Sequence, residues 1–217
     1  MKSNLLKIAG ILLTSTPIYA SECQQYNTPP KITTTINYSI PTYTSIAKEQ
    51  ITSITGLKNP LQTMGLTIAD FQIQFSLLVD KNPSPNGICV NINSIDFDIG
   101  YNSINVLIDD KYKPLSCQYE EIKKHEQEHV KIYQNELKYY GKLIVEEIKI
   151  LLENTPSFLM PANTTELQIT KKIDKILKGD DKLNILKSRL EQAITTKNSA
   201  HDSEEEYLRV KNSCSNW

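Results

Sequence analysis

From Gln118 onward, charged and apolar residues recur at helical spacing for more than thirty positions. Val130, Tyr133, Leu137, Tyr140, Ile144, Ile148 and Leu151 form one apolar stripe along that run, so a long helix must pack this face against something. Pro156 and Pro161 mark where it ends. The residues before it read differently. Thr, Ile and Tyr alternate over residues 32–40, and Phe71, Ile73 and Phe75 share one face of residues 71–79. Residues 88–99 and 102–108 are two further strand-like runs, separated by Gly100-Tyr101 and read as a hairpin, after a loop at residues 82–87. A short helix is expected over residues 45–54. The expectation is an α+β fold: a mostly antiparallel sheet over residues 32–110, then the long helix and a returning helical hairpin over residues 116–215, all in one domain spanning residues 21–217.

The return begins with a helical stretch at residues 165–178. It breaks at Gly179-Asp180-Asp181 and resumes with Leu183, Leu186, Leu190 and Ile194 at core spacing. Asn198-Ser199 weakens the pattern, and Asp202 with Glu205 reads as a capping box opening a last helix, which puts His201 at a helix start.

The first twenty residues have the form of a secretory signal: Lys2, an apolar run at residues 8–13, and Ala20 at a cleavage point. That run is too short to cross a bilayer, and no later stretch is apolar enough to do so. Cleavage leaves 22 basic and 25 acidic residues, a net charge of −3 that argues against a nucleic-acid partner. The four cysteines Cys23, Cys89, Cys117 and Cys214 all remain, and an even count in a secreted or periplasmic protein fits two disulfides. Three pairings are possible. Cys23 with Cys214 and Cys89 with Cys117 is the arrangement favoured here, and no C-x-x-C pair supports a cysteine metal site instead.

The chemistry sits early in the long helix. Two of only three histidines, His125 and His129, flank HEQEH. Residues four apart lie on one helical face, so both imidazoles can reach one ion, and Glu126 is placed to deprotonate a water in the open position. A catalytic zinc takes three protein ligands. Glu146 and Glu147 stand 17 and 18 residues past His129 on the same helix, which at ~1.5 Å per residue puts them ~25 Å away. A Gly-containing extension after the motif is absent, since the chain reads VKIYQN. The remaining candidate is His201, 72 residues beyond His129 and brought back by an antiparallel return. Tyr133 and Tyr207 can donate to an oxyanion or serve as core aromatics, and Glu204 and Glu205 can orient an imidazole or cap a helix.

The strand NYSI, then GLTIADFQIQF, then Gly87-Ile88-Cys89-Val90, then SCQYEEIKKHEQEHV, and a late His in NSAHDSEEEY follow one another in an order that resembles the family of bacterial secreted zinc-dependent proteases. The segment at residues 116–130 carries the specific part of that resemblance. It implies one zinc per chain on His125, His129 and His201, Glu126 as catalytic base, and a peptide or protein substrate. Asp202 departs from the Gly that often follows the late His in that family. The rival readings are a periplasmic binding or assembly module with a structural or absent metal, and a zinc amidase of the cell wall.

Overall fold

The computed structural model describes residues 23, 28–55, 64–155 and 157–217. The expected leader at residues 1–20 and Pro156 lie outside them. Ten elements follow in order: β1 (Lys31–Asn37), β2 (Pro41–Ile46), α1 (Lys48–Thr55), β3 (Gly65–Ser84), β4 (Gly87–Asp109), α2 (Cys117–Glu153), β5 (Ser157–Met160), α3 (Glu166–Gly179), α4 (Asp181–His201) and α5 (Glu204–Asn212).

β4 is the spine of the sheet. β3 pairs antiparallel along its whole length on one side, while β5, β1 and β2 take successive stretches of the other. Along the path β1-β4-β2 both pairings are parallel, so the mostly antiparallel sheet expected from the sequence does not form. Among the described residues only β3 and β4 are a hairpin. β1 reaches β4 from more than fifty residues away in sequence (Lys31 opposite Ser94), a pairing that no local pattern announces.

The expected hairpin at residues 88–108 is also corrected, because those residues are one continuous strand. Gly100 is not a turn residue. It has φ +151°, and a Cβ there would collide with the carbonyl oxygen of Asn37 at the end of β1, so glycine admits the neighbouring backbone. The loop expected at residues 82–87 shrinks likewise, since β3 runs to Ser84. Two register shifts in the β3–β4 ladder step over Asn93 and Asn102. Buried apolar residues fall at Val90 and Ile92, then Ile95, Phe97, Ile99 and Tyr101, then Ile104, Val106 and Ile108, so each shift resets the parity and keeps one face apolar.

α2 lies across that face. Ile144, Val145, Ile148 and Leu152 join Val90 to Ile99 in one cluster, which Ile169, Ile173 and Leu177 of α3 and Leu183, Leu186, Leu190 and Ile194 of α4 complete. A second cluster joins Tyr101, Ile104, Val106 and Ile108 to Ile122, Val130 and Leu137. Gly141 leaves the helix unbroken, with Ile36 of β1 beside it.

The disulfides pair differently from the favoured arrangement. Cys23 joins Cys89 at the start of β4, and Cys117 at the start of α2 joins Cys214 beyond α5, with Cα separations of 5.5 and 6.0 Å. Two disulfides are compatible with an extracellular or periplasmic protein. Among the described residues, no helix is long and apolar enough to cross a membrane.

Candidate metal centre

The Ser116 hydroxyl accepts from the Tyr119 amide and opens α2, whose third and fourth turns carry the motif. α4 returns antiparallel along α2. Along it Lys182 pairs with the buried Glu147, Lys197 pairs with the buried Glu136, and Asn198 lies beside His129. Glu147 is thus occupied as an ion-pair partner far along an unbroken helix, and Glu146 faces solvent against Lys149.

That return brings the end of α4 to the motif. His125 and His129 Nε2 are 3.2 Å apart, and the His201 ring stacks on His125 with centroids 4.4 Å apart and planes 18° from parallel. Ligand atoms of the three histidines all lie within 4.8 Å of one another, an arrangement that can hold a metal ion. His201 closes α4; it does not open the next helix. The cap of α5 is Ser203, whose hydroxyl accepts from the Glu206 amide, one residue later than the Asp202–Glu205 box expected.

Side chains to which the sequence reading gives no part in the site complete the arrangement. Asn198 Oδ1 is 3.0 Å from His129 Nδ1. Glu206 Oε1, rather than Glu204 or Glu205, approaches His125 Nδ1 at 3.4 Å, and Arg209 holds that carboxylate with two contacts of 2.7 Å. Asp202 Oδ1 lies 3.1 Å from His125 Nε2 and 2.9 Å from His129 Nε2. On the other flank, the Thr67 hydroxyl of β3 donates to Glu126 Oε2 at 2.8 Å. A Cβ on Gly65 would meet the Glu126 Cδ at 2.9 Å, so the start of β3 is shaped to admit this carboxylate. Only the GLTIAD string hinted at Gly65 and Thr67, and nothing local in the sequence ties it to the motif.

Glu126 is 3% exposed, and its burial raises its pKa above the usual carboxylate range, against the pull of His129, Thr67 and His125. For His129, burial disfavours the charged ring, but the Asp202 hydrogen bond and the charge of Glu126 outweigh it and push the imidazole up to about 9. Asp202 goes the other way. Despite its partial burial, its bonds to His125 and His129 hold it far below the ordinary carboxylate range. His201 is lowered by burial and by the neighbouring His125.

Glu126, His129 and Asp202 border a cavity of about 760 Å³. Its walls come from Met64 and the start of β3 (Gly65 to Thr67), from α2 (Ile122, His125, Glu126 and His129), from Asp202 in the turn after α4 and from Tyr207 of α5. The two tyrosines separate here. Tyr207 faces the cavity, whereas Tyr133 packs edge-on against Tyr101 between the two core clusters, with Asn198 as a hydrogen-bond partner. The strand preceding the motif, β4, is central, so the sheet edge beside the cavity belongs to β3. Compared with known protein families, with characterised proteins and with solved structures, the chain matches none.

Proposed function

We propose that this chain is an exported zinc-dependent metallopeptidase, with one zinc per chain, akin to the secreted bacterial zinc-dependent proteases its sequence resembles. The observation that carries the reading is a pair of imidazole nitrogens 3.2 Å apart on one helical turn, facing a cavity that also presents the buried Glu126. Neighbouring ligands of a tetrahedral zinc, at bond lengths of about 2.0–2.1 Å, stand about 3.3 Å apart, so the donor pair fits that ion. Bound there, zinc supplies Lewis-acid polarisation of a carbonyl and an acidified water.

His125 and His129 hold the ion from α2, and the end of α4, where His201 stands, supplies the third ligand. Glu126 takes the proton of the attacking water and returns it to the leaving amine. Thr67 keeps its carboxylate oriented by donating to Oε2 at 2.8 Å. Tyr207, in the cavity wall, is the hydroxyl available to the carbonyl oxygen as charge develops on it. Among the described residues β3 pairs with no strand but β4, so an extended peptide can lie along its free edge at Gly65–Thr67, beside Glu126. Export fits the leader-like residues 1–20 and the two disulfides.

The test is metal analysis of the purified oxidised chain together with cleavage of a mixed library of quenched fluorescent peptides. One zinc per chain and hydrolysis abolished by chelation are expected. A chain that takes up no zinc would remove the reading and leave a non-enzymatic binding module in its place.

A further inference from the structure

Resting on the metal centre just described, we propose that Asp202 is a metal ligand: its Oδ1 completes, with Nε2 of His125 and His129, the set of donors that faces the cavity, while His201 supports His125 from behind. Three distances carry this. The two imidazole nitrogens are 3.2 Å apart, and Oδ1 lies 3.1 and 2.9 Å from them, a nearly equilateral triangle with sides close to those between neighbouring ligands of a tetrahedral zinc.

The placement of His201 points the same way. Its Nε2 is 3.3 Å from the backbone oxygen of His125, its ring lies flat against the His125 ring, and it is not among the residues lining the cavity. Asp202 lines the cavity directly. Two imidazoles and one carboxylate are the donor set of a hydrolytic zinc, and all three residues line the cavity. The local structure supports the assignment. Asp202 caps α4 through its backbone amide, which bonds the Asn198 carbonyl at 2.8 Å, so its side chain is free of capping duty. Ser203 instead caps α5.

The experiment measures zinc affinity by competition with a chromophoric chelator, and the visible absorption of the cobalt-loaded protein, for the oxidised full chain, Asp202→Ala and His201→Ala. Loss of Asp202 is expected to weaken zinc binding by tenfold or more and to change the cobalt bands, while His201→Ala weakens binding less and leaves the bands in place. Cobalt bands unchanged in Asp202→Ala, or lost only in His201→Ala, would overturn the assignment while leaving the metal centre standing. No zinc uptake by the unmodified chain would overturn both. Circular dichroism of the metal-free proteins checks folding, and should Asp202→Ala fail to fold, the near-isosteric Asp202→Asn is judged by the same criteria.

Discussion

The two sides of the candidate metal centre are assembled by different physics. His125 and His129 face each other because a helix repeats every 3.6 residues, and Ser116 caps that helix whatever the rest of the chain does. His201, Asp202 and Glu206 reach the same point only through tertiary structure: the Glu147–Lys182 and Glu136–Lys197 pairs along the helix packing, the Arg209 bridge to Glu121, and the Cys117–Cys214 disulfide eight residues before His125. One side is a local property of fifteen residues. The other is a property of the fold, and it should be the side that fails first under stress.

Five variants test that contrast, taken here from the largest expected effect to the smallest. His129→Ala removes a donor that nothing else on α2 can replace, so zinc content should fall below a tenth of an equivalent with no measurable turnover. Stoichiometric zinc by elemental analysis of this variant would show that the helical pair is not the centre. Glu126→Gln keeps the shape of the side chain but cannot accept a proton. Turnover should drop on the order of 10²–10⁴-fold with zinc retained, as steady-state kinetics and metal analysis report together.

Replacing Cys117 and Cys214 with Ser releases only the tertiary side. A closed loop near 100 residues corresponds to roughly 2–5 kcal/mol of stability, read from denaturant unfolding, and zinc affinity should fall with it while the isolated motif helix stays intact by circular dichroism. An unchanged affinity would mean that the helix packing alone suffices. Thr67→Val strips a hydrogen bond from a buried carboxylate, a loss of about 1–3 kcal/mol, and should slow turnover by about tenfold at unchanged zinc content. Lys197→Gln breaks a pair whose lysine is half-exposed, so a melting shift corresponding to less than about 1 kcal/mol is expected. A larger shift would make that ion pair, rather than apolar packing, the element that sets the α2–α4 register.

The same division explains what the sequence reading could and could not reach. The length of α2, the shared face of its histidines and the exclusion of Glu146 and Glu147 all follow from helical period, and the unbroken helix agrees with them. The return of His201 was inferred from the need for a third ligand. Its position at a helix end rather than a start turned on one residue, since Ser203 outcompetes Asp202 as the cap. The parallel placement of β1 and β2 and the disulfide partners depend on which distant segments meet, and no periodicity encodes that.

β4 is the instructive miss. Its apolar residues change parity at Asn93 and Asn102, which marks bulges in a single strand, but Gly100 beside Tyr101 was read as a turn. The glycine answers to the Asn37 backbone across the sheet, a constraint visible only once β1 is in place.

β4 also determines where the protein can be altered. Each of the other four strands pairs with it and, among the described residues, with no other strand, so the sheet is a hub with four spokes. A spoke can be shortened or redesigned while the remaining three keep their registers, whereas one inserted residue in the hub displaces everything downstream of it. The connection between β1 and β2, with Ser39 at φ 53° and Ile40 89% exposed, is therefore the natural place to graft a label or an affinity tag, and β4 is the segment that engineering should leave untouched.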